Sequence, residues 1–209
     1  MADVIVSQAL ERAQAENQVL SRIIELSSGL DPGQVLDAAV DLVLEATAAD
    51  ACFLHLYERE RGRLVLRAAS EPYKAAVGTV ELALGEGVAG WVARHRQVAV
   101  IPDDKWSDRR YKYFPTLGGD RYTSMLSMPL ISPTGRLVGV VNLHTERRRD
   151  FTDRDIAFLS HVASLLAAAI EHAELFRELA AKEEALQRMV VRTVAAQEEE
   201  RRRVATEIH

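Results

Sequence analysis

The sequence predicts an α+β fold in which about six antiparallel strands form a central sheet flanked by helices, with long helices at both ends of the chain. Three observations support this prediction. Short apolar runs are separated by turn residues, as antiparallel strands are. Two helix starts carry complete capping signals. Residues 153–209 contain neither proline nor glycine, which favours a helix longer than the usual length of about 8 to 20 residues.

The composition is that of a folded globular chain, with 48% hydrophobic and 27% charged residues among 209. A net charge of -5 provides no basic field for non-specific binding of nucleic acid. The single cysteine, Cys52, excludes an intramolecular disulfide framework and a zinc site built on several thiolates. No apolar run has the length of a membrane span, and residues 1–17 lack the features of a secretory signal. We therefore expect a cytoplasmic protein with no nucleic-acid partner and no membrane span in this chain.

The N-terminal part of the chain is predicted to be helical. Residues 1–29 carry apolar side chains at helical spacing, which predicts an amphipathic helix with one face to bury. The next helix begins at Asp31, which serves as N-cap, with Pro32 in the first helical position. We expect this second helix to end near Ala48.

Six strands are predicted in the middle of the chain. They lie at residues 51–57, 63–70, 79–84, 98–102, 124–131 and 136–145. Residues 132–135, SPTG, make the last two strands a hairpin, because proline and glycine supply the dihedral angles of a turn. In the first strand Cys52, Leu54 and Leu56 share one face. Residues 103–123 form a long aperiodic segment with aromatic and cationic side chains, and loops of this length inside a compact domain are commonly functional.

The last helix begins with a second capping signal. Thr152 is the predicted N-cap, Asp155 occupies the capping-box position, and Phe151 and Ile156 form a hydrophobic staple around them. The residues predicted to pack on the sheet are Leu159, Val162, Leu166 and Ala169. The residues near a heptad seam are Phe176, Leu179, Leu186, Val190 and Thr193. The seam implies a partner helix, and we predict a homodimer through the N- and C-terminal helices.

Residues 85–90, GEGVAG, match the G-x-G-x-x-G fingerprint of dinucleotide-binding enzymes. The following WVARHRQ gives barely two helical turns, whereas a parallel crossover needs a full helix. We therefore keep a dinucleotide-binding enzyme only as a less favoured alternative. The preferred interpretation is that Gly85 makes a turn, Gly87 opens a short helix, and Gly90 allows close packing under Trp91.

The order of these motifs resembles the GAF domain family over about residues 30–175. The motifs are GEGVAGWV, the Met-Pro pair at 128–129, GRLVGVVNL, and FTDRD at the start of the final helix. The resemblance implies an antiparallel sheet with helices on one face and a small-molecule pocket, covered by the variable loops, on the other. The predicted domains are an N-terminal helix at 1–29, a GAF-like sensor domain at 30–175, and a coiled-coil signalling helix at 176–209.

The segment ERRRVATEIH resembles the phosphoacceptor motif of sensor histidine kinases of the nitrate-sensor type. The identical residues are Glu200, Arg201, Arg203, Ala205, Glu207 and His209. The resemblance implies that His209 is the nucleophile that accepts the γ-phosphoryl group of ATP, with magnesium, and that a response regulator is the partner of the full-length kinase. Thr206 replaces an arginine of the motif, the acid after the histidine lies beyond the chain, and the ATP-binding catalytic domain is absent from these 209 residues. The alternative is a GAF module that regulates a non-kinase output, with the charged tail as a solvated linker.

Candidate ligand-binding side chains cluster in the aperiodic segment and the short helix before it. They are Trp91, Trp106, Tyr111, Tyr113, Phe114, Arg121 and Tyr122. The ligand is an unknown small molecule. Some related sensor domains bind haem through a histidine in the variable segment, but residues 102–128 contain none. Haem is therefore not favoured, and His95 and His144 are of a kind that is more often structural.

The family resemblance raises three further possibilities: a chromophore attachment point, a reductase site and a cyclic-nucleotide site. Cys52 fits a small buried hydrophobe better than a chromophore attachment point. Related reductases of this fold use several cysteines, and this chain has one. Asn142, Phe151 and Asp155 match part of the signature of cyclic-nucleotide-binding members, but its lysine and glutamate are absent, and the helix cap already explains Phe151 and Asp155.

Overall fold

A computed structural model describes residues 14, 17–18, 21–22 and 32–207, with side chains described up to 194 and at 197. The few described residues before Pro32 are helical, as predicted, while His209 lies outside the described residues. The helices are α1 (Pro32–Thr47), α2 (Gly87–His95) and α3 (Asp153–Glu207). The strands are β1 (Ala51–Glu58), β2 (Arg63–Ala69), β3 (Glu81–Ala83), β4 (Ala99–Ile101), β5 (Ser124–Ile131) and β6 (Leu137–Thr145).

The six strands form one sheet in the order β3-β2-β1-β6-β5-β4, and each neighbouring pair is antiparallel. This confirms the predicted fold class. Both β3 and β4 have three residues, fewer than predicted. They lie at the two edges of the sheet, where a strand has a neighbour on one side only, so fewer of its residues join the hydrogen-bonded ladder.

The two faces of the sheet carry different layers, because successive side chains of a strand point to opposite sides. On one face α1 and the first turns of α3 enclose the largest core, which includes Cys52 and Leu54 of β1. On the other face α2 and the 102–123 segment cover two smaller cores. The second face is the one that holds the candidate site.

The start of α3 is the predicted capping box. The carboxylate of Asp155 accepts hydrogen bonds from the Thr152 backbone N–H (2.8 Å) and hydroxyl (2.7 Å), and the Asp155 N–H donates to the Thr152 hydroxyl (3.2 Å). Phe151 and Ile156 pack against the same core. Leu159, Val162 and Leu166 are buried as predicted, whereas Ala169 is half-buried. Ile170 is buried instead, because the buried face of the helix also includes Ala163 and Ala167.

The glycine motif does not begin a parallel crossover, because the nine-residue α2 lies between antiparallel strands. Gly85 and Gly87 have positive φ angles of 90° and 67°, which glycine adopts without strain. The close approach at Gly90 differs from the prediction: a Cβ there would lie 2.4 Å from the Ala83 carbonyl oxygen. The glycine lets α2 contact the backbone of β3, while Trp91 stacks on His95 with ring centroids 4.5 Å apart.

The chain divides into two compact units, Met1–Glu171 and His172–His209. Among the described residues one helix, Asp153–Val194, is long and apolar enough by length and composition to cross a membrane, and 44% of its most apolar window is buried inside the protein. Leu159 and Leu166 of this helix are core residues, and the core helix of a globular domain meets the same criterion. In the second unit the large apolar side chains that the structure describes are exposed. They are Leu175, Phe176, Leu179, Leu186, Met189, Val190, Val191 and Val194.

Candidate ligand pocket

A cavity of about 60 Å³ lies between the second face of the sheet and the segment that covers it. On the scale where one water needs about 10 to 15 Å³, this is room for roughly four to six waters or a small organic molecule. The lining is mainly apolar and aromatic, with a few polar groups. It consists of Phe53, His55, Leu82, Gly87, Val88, Ala89, Lys105, Tyr111, Lys112, Phe114, Leu117, Gly119, Tyr122, Met125, Asn142 and His144.

The central strands supply three of the polar lining groups. His55 of β1 and Asn142 and His144 of β6 point to the pocket face, because Leu54, Val141 and Leu143 between them face the large core. These polar side chains are buried in the middle of the sheet, where strand alternation fixes their direction.

Hydrogen bonds determine the donor and acceptor roles at Asn142 and His55. The Ser127 hydroxyl donates to Asn142 Oδ1 (2.6 Å), so the amide nitrogen of Asn142 faces the other way. That nitrogen donates to the Phe53 carbonyl oxygen (3.4 Å) and to His55 Nδ1 (3.3 Å). His55 Nδ1 is therefore an acceptor, and Nε2 carries the ring proton. His55 Nε2 is buried and has no hydrogen-bond partner among the described residues, and burial lowers the pKa of His55 to about 4.

Lys105 brings a cationic side chain into this apolar cavity. The residue is 1% exposed, and its Nζ lies 3.4 Å from His144 Nδ1. It also lies 5.3 Å from the ring centroid of Tyr111 and 5.1 Å from that of Tyr122. Burial lowers the pKa of Lys105 to about 8, and the charge of Asp120 opposes that shift. Among the described residues no carboxylate lies within 4 Å of this ammonium group.

His144 stays neutral beside Lys105. Burial, then the charge of Lys105, lowers the pKa of His144 well below its ordinary value. Its Nδ1 can therefore accept the hydrogen bond that the ammonium group donates. The ring also packs edge-on against Phe53, with centroids 5.2 Å apart. The position of the Lys105 head group is thus set by a neutral acceptor and two aromatic rings rather than by an anion.

The cover of the pocket is held closed at Gly119. The Trp106 indole N–H and the Tyr111 hydroxyl both donate to the Gly119 carbonyl oxygen, at 3.3 and 3.1 Å. A Cβ at Gly119 would lie 2.6 Å from the Tyr111 hydroxyl oxygen, so a larger residue at this position would displace the Tyr111 side chain. At the base of the cover the Lys105 N–H donates to the Thr123 carbonyl oxygen at 2.9 Å.

The structure brings three of the seven predicted ligand residues to the cavity: Tyr111, Phe114 and Tyr122. The other four do not line it. Trp91 lies between His95 and Arg110, Trp106 binds Gly119, Tyr113 is half exposed, and Arg121 pairs on the surface with Glu146 at 2.8 Å. Contact of any of the seven with a ligand stays a prediction.

The sequence interpretation missed Lys105, His55 and Asn142 as lining groups. A signal for His55 and Asn142 was available, because they alternate with core residues on strands that were correctly predicted. His144 was noted but assigned a structural role. No local signal marks Lys105 as buried, since it lies beside two aspartates in a segment without a period.

The geometry of the described residues bears on three further possibilities, a metal site, haem and a reactive Cys52. Among the described part of the chain, no three His, Cys, Asp or Glu side chains are grouped as a metal site requires. A haem would need the lining residues to move apart, because the cavity has the volume of a few waters. Cys52 is completely buried in the opposite core, and burial raises the pKa of its thiol. Such a thiol packs as a small apolar group.

Known proteins share this fold. A solved GAF domain of a phosphoenolpyruvate-protein phosphotransferase from Coxiella burnetii is 29% identical, with a TM-score of 0.72 over 79% of this chain and 98% of that one. Free methionine-R-sulfoxide reductase from Neisseria meningitidis, solved with its substrate, is 20% identical, with a TM-score of 0.66 over 80% of this chain and 93% of that one. At that identity the reductase shows the fold alone.

Curated relatives are much longer proteins. A dual 3',5'-cyclic-AMP and -GMP phosphodiesterase 11A from Takifugu rubripes is 27% identical over 170 residues, which are 75% of this chain and 18% of that protein. The chain spans about a fifth of the length of the curated relatives that it matches. The model of the GAF domain family matches residues 29–171. With the sheet order and the covered pocket, this shows that the chain belongs to the GAF domain family, whose members are small-molecule-binding sensory modules.

Proposed function

We propose that this chain is the sensory region of a two-component histidine kinase, in which occupation of the pocket changes the packing of paired α3 helices that lead to the phosphoacceptor His209. The GAF fold and the covered cavity support the sensory part of this proposal. The observation that carries the kinase part is the similarity of residues 200–209 to a phosphoacceptor motif, at the end of a segment without a helix breaker.

The exposed apolar side chains of α3 support a homodimer. Phe176, Leu179, Leu186 and Val190 fall three, seven and four residues apart, which is heptad spacing with Glu183 at the intermediate position. Each of the four is more than 60% exposed in the single chain. Pairing with the same stripe of a second copy would remove this surface from water, and a coiled coil is the arrangement that such spacing favours.

The chemistry proposed for His209 is phosphoryl transfer to nitrogen. A neutral imidazole nitrogen attacks the γ-phosphorus of ATP, an N–P bond forms, the bond to the β,γ-bridging oxygen breaks, and ADP leaves. The ring proton passes to a base, a role that the resemblance gives to the acid after the histidine. Magnesium and cationic side chains neutralise the transferred group, and catalysis consists mainly of positioning. These steps require an ATP-binding domain in addition to the 209 residues.

The test uses a natural protein that contains this chain together with an ATP-binding domain. Purified protein is incubated with γ-labelled ATP and magnesium, and label is measured under alkaline conditions, because phosphohistidine is labile in acid. We expect His209→Gln to abolish labelling. The matched control is His172→Gln, which replaces an exposed histidine of α3 and should label as the unmodified protein does. Full labelling of His209→Gln would overturn the assignment.

The curated relatives favour a second candidate, a GAF ligand-binding and dimerisation module that regulates a non-kinase output. Their names describe a phosphodiesterase and a phosphoenolpyruvate-dependent phosphotransferase system. In that case the charged tail is only a linker, and neither histidine variant changes the output. The labelling experiment therefore distinguishes the two candidates.

A further inference from the structure

The pocket contains a buried positive charge that has no carboxylate within 4 Å among the described residues, although the charge of Asp120 acts on it from farther away. Lys105 is 1% exposed, and its contacts are a neutral histidine and two aromatic rings. Desolvation of an ammonium group is costly, and a partner anion or several acceptors normally compensate for it. One neutral acceptor and two π faces compensate only part of the lost hydration. The Lys105 head group therefore has free capacity to donate to an acceptor in the cavity.

His55, which lines the same cavity, carries a second donor. The hydrogen bonds from Ser127 to Asn142 and from Asn142 to His55 Nδ1 leave the proton on His55 Nε2. This N–H is buried and has no hydrogen-bond partner in the part of the chain that the structure describes. Buried polar groups that lack a partner are rare and call for an explanation. A ligand that accepts one hydrogen bond from Lys105 and one from His55 would satisfy both groups.

We propose that the pocket binds a small organic carboxylate, whose two oxygens accept hydrogen bonds from the Lys105 ammonium group and the His55 Nε2–H. The apolar part of the ligand would lie against Phe53, Phe114 and Met125, which line the rest of the cavity. A phosphate ester is a poorer fit, because its three charged oxygens need more donors than these two side chains supply. The cavity volume limits the ligand to about four to six heavy atoms in the present geometry. This inference deepens the proposed sensory function and rests on it.

The test compares 2-methylpropanoate with 2-methylpropanamide, which have the same shape and differ in charge. Binding to the full 209-residue chain is measured by two-dimensional NMR titration. We expect the carboxylate to bind and the amide to bind about tenfold or more weakly, since hydrogen bonds to a charged group are stronger than those between neutral groups. Inorganic phosphate serves as a second probe and is expected to bind more weakly than the carboxylate.

Two variants assign the binding to the named donors. Lys105→Met keeps the length of the side chain and removes the charge, and should weaken the carboxylate about ten- to a hundredfold. His55→Phe keeps a ring and removes the N–H donor, and should weaken it less, by about tenfold. Lys74→Met is the control. It removes an exposed lysine that does not line the cavity and should leave the affinity unchanged.

The outcomes separate this inference from the proposed function. Equal affinities for carboxylate and amide, full affinity in Lys105→Met, tighter binding of phosphate, or absence of binding by the carboxylate would each overturn the carboxylate assignment. The labelling test of His209 does not depend on any of these results. Carboxylate binding that requires Lys105, together with an unlabelled His209, would support the pocket assignment and contradict the kinase.

Discussion

At the scale of single residues, Lys105 is where the folded state carries an electrostatic cost. Its pKa is lowered to about 8 from 10.5 because the ammonium group is buried, although the charge of Asp120 opposes the shift. Between these two values the unfolded chain binds a proton that the folded chain does not. Stability from this group therefore rises with pH across that window, and below pH 8 the full cost of the buried charge remains.

Lys105→Met should change the stability of the protein as well as its binding of ligand. The variant should be more stable than the unmodified chain at pH 7, by up to about 3 kcal/mol, because it removes the buried charge. The difference should shrink as the pH rises from 8 towards 10.5. Urea unfolding of both proteins at several pH values measures it, and the difference between them cancels the titration of other groups.

The control for this experiment is Lys74→Met. Lys74 is exposed and its ion pairs are on the surface, so its replacement should change stability by about 0.5 kcal/mol or less at every pH. A Lys105→Met protein that is less stable at pH 7, or a stability difference that does not vary with pH, would show that Lys105 is a structural residue whose charge is well compensated.

At the scale of elements, the start of α3 depends on a small buried network. Asp155 is 4% exposed, and its carboxylate accepts from Thr152 and from Arg149 Nη2 at 2.9 Å. Arg149 in turn donates to the Thr47 carbonyl oxygen at the end of α1 (2.7 Å). One carboxylate therefore caps α3 and, through Arg149, ties it to α1.

The network predicts a graded series of variants. Thr152→Ala should lower the free energy of unfolding by about 1 kcal/mol, the usual effect of removing an N-cap. Asp155→Ala should lower it by about 3 kcal/mol, because the Arg149 charge loses a buried partner. Asp153→Ala, an exposed acid in the same turn, is the control and should cost a few tenths. Denaturant unfolding measures the stability of all three variants. Equal effects of Asp155→Ala and Asp153→Ala would contradict the claim that the Asp155 carboxylate caps α3 and ties it to α1.

The elements of the fold were accessible from the sequence because their signals are local. The capping box spans residues 152–155, and the hairpin turn at 132–135 has Gly135 at a φ angle of 80°. The site was only partly accessible. Lys105 becomes buried because the 102–123 segment folds back through the Lys105–Thr123 and Trp106–Gly119 hydrogen bonds. Such contacts join residues that no periodic pattern relates, so the sequence indicated the aromatic side chains of the cover and not the cation beneath them.

At the scale of the whole molecule, the proposed function requires that a change in the pocket alters α3. Within the first unit, Glu171 near the end of the buried part of α3 accepts hydrogen bonds from Ser132 (2.8 Å) and Thr134 (2.6 Å) of the β5–β6 turn. β6 also carries Asn142 and His144 into the pocket. We infer that β6 and its turn connect the pocket physically to the helix. A ligand can change the packing of α3 through this connection only if it binds two arrangements of these elements with unequal affinity.

If the pocket controls the pairing of α3 in a homodimer, the distance between spin labels on two copies of the helix should depend on the ligand. The label is attached to Ala185→Cys, an exposed position of α3 away from the heptad seam. Cys52 is completely buried and should remain unlabelled. Pulsed electron paramagnetic resonance then gives the distance between the spin labels of two copies, with and without 2-methylpropanoate.

We predict a defined distance between copies that changes when 2-methylpropanoate is added, and no such change when the same label is placed in Lys105→Met or when 2-methylpropanamide replaces the carboxylate. Replacing Leu179 in the seam by glutamate should remove the distance altogether, because a charge would be buried between the helices. If the labelled Ala185→Cys chain without further substitutions gives no distance between copies, or a distance that the carboxylate leaves unchanged, the pocket does not control the pairing of α3.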